Sequence, residues 1–322
     1  MPLQPLNIAV VGSGISGLSA AWLLSKKHRV TVFERNSRLG GHSNTVDIAS
    51  SAGPIAVDTG FIVFNKPCYP NLVKLFETLG VAYQPTDMSF GISIDDGRVE
   101  YAGADSLGPL FAQKRNLRRP RFWRMIRDLL RFYRDSGGWL ETLDDKLTLG
   151  ELLAREGYGA GFRDDHLIPM GAAIWSTPAD QMLNYPARSF LRFCNNHGLL
   201  QINGRPQWQT VVGGSREYVR RIAQPFEGGV KLNCGIKNIT RHGRGVRLCD
   251  DRDREWQFDH VVLASHADQS LAMLGDATAE EHRLLSKFRY EANTAYLHSD
   301  PLLMPRRKKA WASWCYLSSQ QQ

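Results

Sequence analysis

No CxxC pair, no HExxH and no apolar stretch of the roughly 20 residues that spans a bilayer occurs in this chain of 322 residues. The five cysteines, Cys68, Cys194, Cys234, Cys249 and Cys315, are odd in number and far apart, which argues against a disulfide framework and for reduced thiols. The nine histidines have no ligand spacing either, so no metal is expected. The N-terminus has neither a basic n-region nor a long apolar core, and a cytoplasmic protein is expected. A net charge of +8 is not a general basic coat, because Lys114 to Arg134 holds nine Lys or Arg against one acid and the rest of the chain balances. With no recognition motif beside that charge, nucleic acid is not an expected partner. The length exceeds the usual single domain of about 100 to 200 residues and predicts two domains.

What is present is concentrated at the start, from Asn7 to Gly41. An apolar run, Ile8 to Val11, meets Gly12-Ser13-Gly14-Ile15-Ser16-Gly17, then a helical pattern with Leu18, Ala21 and Trp22 on one side; a second apolar run, Val30 to Phe33, ends in Glu34. That order is strand, glycine turn, helix, strand, acid. Gly12 permits the tight turn, Gly14 lets backbone approach a pyrophosphate, and Gly17 lets helix and strand close up. The amides of Ile15 and Ser16 open the helix and face the phosphates, and Glu34, 20 residues past Gly14, reaches a ribose hydroxyl.

A glycine doublet follows, in Arg35-Asn36-Ser37-Arg38-Leu39-Gly40-Gly41-His42. A pyrophosphate resting on the first turn needs cover from its other side, and Gly40 and Gly41 beside Arg38 can bring amides and positive charge there. Val57-Asp58-Thr59-Gly60-Phe61 then reads as a strand ending in a turn.

The series GSGISG, ER, RLGG and VDTG resembles the flavin-dependent amine oxidase superfamily, which includes phytoene-type desaturases and protoporphyrinogen oxidase. The nearest resemblance is to bacterial predicted NAD/FAD-binding proteins encoded near cyclopropane fatty acid synthase, and it continues through LGVAYQPTDMSF, PRFWRMIRDLLRF, MGAAIWSTPADQM, RPQWQTVVGGSREYV and SHADQ. The resemblance implies FAD, with Arg35, His42, Thr59, Gly60 and Phe61 among its contacts, the backbone at Ile236 meeting the adenine, and the strand ending at Ala264 approaching the dinucleotide. It implies an α/β fold: a Rossmann-like FAD-binding domain with a parallel sheet and a β-meander, plus a discontinuous α+β substrate domain. The expected boundaries are 1–66 and 205–268 for FAD, and 67–204 and 269–322 for substrate, the latter helical over about 105–200 with sheet over about 81–104 and 288–317.

Along the rest of the chain, Tyr69 to Leu79 carries a helical stripe with Gly80 as its C-terminal cap, and Ser89 to Ile94, Asp96-Gly97, Val99 and Tyr101 predict a hairpin. Thr148 to Gly198 reads as helical, with breaks at Gly157, Pro178 and Pro186, a start at Thr177-Pro178 and a stop at Gly198. Met170, Trp175, Met182 and Phe190 are core residues or the lining of a long apolar pocket. Ser215 is placed to cap a helix through Val219. Short strands are expected at 230–232, 236–240, 245–248, 256–258 and 259–264, a helix over 267–285, strands at 290–298 and 311–317, and a solvated turn at Pro305 to Lys309.

The basic segment opens on Pro120, and Arg121, Arg124, Arg127, Arg131 and Arg134 recur every three or four residues among Phe122, Met125, Ile126, Leu129, Leu130 and Tyr133. This is a basic amphipathic helix, either a solvated face or a peripheral contact with anionic lipid at the inner membrane face.

The chain departs from the resemblance twice. His42 stands where amine oxidases have Arg, and the glycine-rich segment that sits against the flavin ring in relatives, with their aromatic cage, has no counterpart before Gln322. An unpaired sheet edge and a partly open flavin pocket are therefore expected. The activity expected is FAD-dependent hydride abstraction from a C–H bond of an apolar small molecule or lipid, a fatty-acyl compound among them. The alternatives are a flavoprotein isomerase or saturase, and a truncated non-catalytic lipid-associated protein. His42, His197 and His266 are the conspicuous titratable groups, and none is nominated as catalytic acid or base.

Overall fold

The computed structural model describes residues 4–103, 107–175, 178–201, 204–226, 229–290 and 292–319. It falls into two compact units, one of Met1–Val63, Asn71–Gln84 and Thr210–Ala295, the other of Phe64–Pro70, Pro85–Gln209 and Tyr296–Gln322.

The first unit is built on a four-stranded parallel sheet ordered Val230–Lys231, Arg29–Phe33, Asn7–Val11, His260–Leu263. Alternation along a strand sends neighbouring side chains to opposite faces, and both faces here are covered. Val10, Val30 and Val32 pack with Ala21 of the helix Ile15–Leu24 on one side. Ala9, Val11 and Phe33 pack on the other side against a three-stranded antiparallel meander of Ile236–His242, Gly245–Asp250 and Glu255–Phe258. A hairpin of Thr45–Ile48 and Ile55–Asp58 projects from this core.

The helix Pro70–Leu79 ends at Gly80 (φ +63°), where Val81 N–H bonds Phe76 O and Gly80 N–H bonds Glu77 O, a Schellman closure. Residues 71–84 lie in the first unit because Phe76 packs on Tyr218 and Arg221 donates to the carbonyls of Leu79 and Gly80. Residues 269–295 also lie there, outside the 1–66 and 205–268 expected for the FAD portion. The anchor is the strand Ile236–His242, whose Ile239 O accepts from Gly275 N–H and whose Arg241 pairs with Asp276.

The second unit has a helical core and a small sheet. The hairpin Phe90–Ile94 and Val99–Gly103 turns through left-handed Asp95, Asp96 and Gly97, and Trp314–Leu317 joins it in parallel. The 23-residue helix Pro120–Thr142 begins on Pro120, whose fixed φ suits the first turn and whose missing N–H is not needed there. It buries Phe132 and Trp139 against Leu149, Leu152, Phe162 and Phe190. The helix Leu149–Arg155 is fixed by a capping box of Thr148 and Glu151. A π-helical turn, Arg163–Leu167, precedes the helix Ile168–Trp175, and the helix Ala187–Asn196 stops before left-handed Gly198.

Several expectations are corrected. The stretch 290–298 forms no strand among the described residues, which lie exposed, and Tyr290 instead stacks on His266. The strand expected at 311–317 is confined to Trp314–Leu317. The helix over 267–285 is two, Ala267–Met273 and Ala279–Leu285, because Thr278 and Glu281 form a capping box that starts a new helix. The turn at Pro305 to Lys309 is not merely solvated: Arg306 N–H and the Arg307 guanidinium bind the fully buried carboxylate of Glu100. The start signal at Thr177 lies outside the described residues.

Candidate functional site

In the first unit the glycine turn has the form that its sequence requires. Gly12 sits at φ +102°, and a Cβ there would lie 2.6 Å from Ala264 O, while a Cβ on Gly17 would overlap the Gly12 carbonyl. Those two glycines bring helix, turn and the strand ending at Ala264 together. Gly14 differs: a Cβ there would meet nothing within 4 Å, so open space adjoins its backbone. Gly14 is the residue before the helix, and Leu18 N–H makes the first intrahelical bond, to Gly14 O. The amides of Ile15, Ser16 and Gly17 precede that bond and lie at the positive end of the helix dipole.

The doublet closes the other side. Gly40 and Gly41 are both left-handed (φ +107° and +55°), Gly40 N–H bonds Ser13 O at 2.9 Å, and a Cβ on Gly41 would come 3.1 Å from Gly14 Cα. Two backbones that close tolerate only glycine. Ser13 is buried and its hydroxyl donates to Glu34 Oε2 at 2.5 Å, while Asn36 N–H donates to Oε1 at 2.9 Å. These bonds fix the Glu34 carboxylate and leave acceptor capacity on Oε1 for a ribose hydroxyl.

The chain returns past this acid: Cys234 N–H bonds Glu34 O, and Asn233 N–H bonds Asn36 O. Ile236 follows as a buried core residue beside Phe33. Arg35 and Arg38 are exposed. Thr59 N–H and Phe61 N–H bond Asn44 O and His42 O, and a Cβ on Gly60 would overlap His42 O, which ties 59–61 to the segment after the doublet. His42, His266 and Tyr290 form a stack, with ring centroids 6.1 Å and 4.2 Å apart. The structure thus gathers Gly12 to Gly17, Glu34, Gly40 to His42, Thr59 to Phe61 and Ala264 around one turn, and these residues fit a dinucleotide.

Asp58 is a contributor that the sequence reading did not single out. Ser215 does not cap the helix Arg216–Ala223 with its own side chain; Asp58 does so from the hairpin, accepting Ser215 N–H at 2.9 and 3.0 Å and its hydroxyl at 2.8 Å. Thr45 donates to the same carboxylate at 2.6 Å and accepts Arg216 N–H at 3.0 Å. A carboxylate at a helix N-terminus is favoured by both hydrogen bonding and the helix dipole.

In the second unit a cavity of about 130 Å³ is lined by apolar side chains such as Phe90, Met170, Ile174, Leu199 and Trp208. Of the residues expected to line a pocket, only Met170 does; Met182 and Phe190 are fully buried in the helical core, and Trp175 packs against it. Among the described residues no Asp or Glu lines the cavity. Its polar lining includes Tyr133, His166, His197 and Arg205. Burial pushes the Tyr133 phenol up to about 12, and burial with the Arg205 charge drops His166 to about 4, so both are neutral near pH 7. His197 is held by donation of Nδ1–H to Phe193 O at 2.9 Å and stacks on Phe193. His166 escaped the sequence reading because nothing local marks a buried histidine; only the π-turn puts it against Tyr101.

Among the described residues no group of three or more His, Cys, Asp or Glu could hold a metal ion, and no helix is long and apolar enough to cross a membrane.

The sequence pattern described as "Flavin containing amine oxidoreductase" matches residues 15–295. A Mycobacterium tuberculosis protein assigned as a flavin-containing monoamine oxidase, AofH, is 27% identical over 275 residues, which cover 82% of this chain and 57% of that protein. Putrescine oxidase with bound putrescine aligns with a TM-score of 0.65 at 19% identity, covering 88% of this chain and 63% of that one. The CLA-producing fatty acid isomerase from P. acnes aligns with a TM-score of 0.61 at 18% identity, over 88% and 64%. The chain therefore spans less than two thirds of these relatives' length. With most of its residues matched and a turn shaped for a dinucleotide, the chain belongs to the flavin-containing amine oxidoreductases, whose cofactor is FAD.

Proposed function

We propose that this chain carries the FAD cradle and an apolar substrate chamber of an oxidoreductase that removes hydride from a C–H bond of an apolar, fatty-acyl-like substrate. The observation that carries the substrate part is the cavity lining of the second unit, mostly apolar and without a carboxylate among the described residues. An ammonium substrate entering such a lining loses its hydration without a counter-charge and meets the cation Arg205, so an uncharged or anionic apolar molecule is favoured. The P. acnes relative, by its name, acts on a fatty acid, which supports the same class.

The cradle residues have separable tasks. The amides of Ile15, Ser16 and Gly17 would hold phosphate, Glu34 would hold ribose, and Gly41 would let the backbone cover the pyrophosphate. Bound flavin supplies the hydride acceptor, while the protein positions the substrate carbon and excludes water. The test is to purify the chain, record flavin absorbance and titrate FAD while following thermal unfolding. Flavin must be retained or stabilise the fold, and Gly14→Val or Glu34→Ala must weaken it. Anaerobic bleaching by fatty acids or alcohols rather than primary amines supports the substrate class; bleaching by amines alone overturns it.

A second reading concerns the helix Pro120–Thr142. Arg121 turns inward to Asp165, and Arg131 to Glu156 O and the face of Tyr158, while Arg127 and Arg134 pair with the adjacent Asp128 and Asp135 at the surface. Arg127 and Arg134 have side chains 73% exposed and accompany exposed Trp123 and Leu130, a pattern suited to anionic lipid. Sedimentation with anionic liposomes, lost on changing Arg124, Arg127 and Arg134 to Gln, tests it; equal sedimentation with neutral liposomes refutes it.

A further inference from the structure

The cavity of the second unit is lined by His166, and the chemistry of that ring's two nitrogens can be assigned. Tyr101 donates its hydroxyl hydrogen to Asp165 O at 2.8 Å, because a carbonyl can only accept. The same phenol oxygen lies 2.9 Å from His166 Nδ1, so it accepts there and Nδ1 carries the ring hydrogen. A neutral imidazole has only one, which leaves His166 Nε2 as a bare acceptor. That nitrogen is buried without a hydrogen-bond partner among the described residues, and His166 lines the cavity. The arrangement is held from behind. Asp165 takes Arg121 in two bonds of 2.6 and 3.0 Å, and the π-turn fixes Asp165 and His166 next to each other.

A buried acceptor left unpaired keeps its desolvation penalty with nothing in return, so a ligand that supplies a donor gains by satisfying it. An ammonium donor is disfavoured: Arg205 lines the same cavity, its charge reaches both Tyr133 and His166, and among the described residues no carboxylate of the lining balances a second cation. We propose that this cavity binds an apolar molecule bearing a hydroxyl group, and that the hydroxyl donates to His166 Nε2. The proposal rests on reading the cavity as the substrate chamber and names the class of that substrate. Tyr101 acts as a positioning residue that holds the imidazole in the accepting tautomer.

The test uses the full chain with FAD and reads binding, not redox chemistry, so failure of hydride transfer leaves it intact. The probes are 1-octanol and its isomer 1-methoxyheptane, equal in composition but with and without an O–H donor, together with octylamine. One satisfied acceptor predicts roughly tenfold tighter binding of the alcohol than of the ether. Histidine ring nitrogen NMR on the same protein is expected to show His166 with an unprotonated Nε2 at neutral pH, shifted by octanol and not by the ether. His166→Gln is expected to erase the preference; should that variant fold poorly, Tyr101→Phe frees the tautomer and is expected to reduce it. Equal affinity for alcohol and ether, tighter binding of octylamine, or a proton on Nε2 in the wild-type protein would each overturn the proposal.

Discussion

Acid should unfold this protein partly through one histidine. His166 is held near 4 by burial and by the Arg205 charge, whereas an unfolded chain returns it to about 6.5. Above pH 6.5 the ring is neutral in both states and contributes nothing to pH dependence. As pH falls from 6.5 to 4, the unfolded chain takes a proton that the folded chain refuses, and stability drops. A gap of about 2.5 pKa units corresponds to about 3 kcal/mol, fully expressed only below pH 4. Other groups titrate nearby, so the measurement is a difference. Urea unfolding of wild type and His166→Gln is followed by tryptophan fluorescence from pH 8 to 4.5. The difference in unfolding free energy should be flat above pH 7 and swing in favour of the glutamine variant by about 2 kcal/mol by pH 4.5 or slightly above. A difference constant within about 0.5 kcal/mol would show that the ring is protonated or solvated in the fold, and would refute the neutral lining on which the substrate argument depends.

The glycines of the cradle should separate stability from cofactor binding. Gly14→Val should leave the apoprotein within about 0.5 kcal/mol of wild type, since its backbone is unstrained and its Cβ meets nothing, yet FAD should no longer raise the melting temperature. Gly17→Ala should lower apoprotein stability by about 2–3 kcal/mol, because its Cβ overlaps the Gly12 carbonyl. Asp58→Ala removes the remote cap from Arg216–Ala223 and leaves Ser215 N–H unpaired, a loss of about 2–3 kcal/mol visible in urea melts, with Asp58→Asn intermediate. Arg307→Met strands the buried Glu100 carboxylate and should cost about 3 kcal/mol; adding Glu100→Gln should restore part of it.

The nucleotide half of the molecule was legible in the chain because its determinants are local. Gly12 to Gly17, the apolar runs on either side and Glu34 lie within one strand-turn-helix-strand unit, where spacing in sequence becomes spacing in three dimensions. The stop signals at Gly80 and Gly198 were legible for the same reason, since a left-handed residue after a helix is a property of a few consecutive residues. The expected strand at 290–298 failed because β-propensity needs a partner strand, and the ring of Tyr290 found His266 instead. Arg307 read as surface because its partner, Glu100, is 207 residues away in sequence.

By itself, then, the sequence determined that a parallel sheet would carry a glycine turn, an acid and a glycine doublet, and that a basic amphipathic helix would follow. Only the tertiary structure decided which arginines of that helix turn inward, that Asp58 rather than Ser215 caps Arg216–Ala223, and that His166, lining an apolar cavity, keeps a buried nitrogen without a partner among the described residues. The reason is physical. Helix and turn signals depend on residues within one or two turns of each other, whereas the state of a buried polar atom is set by whichever distant groups the fold brings within about 3 Å of it.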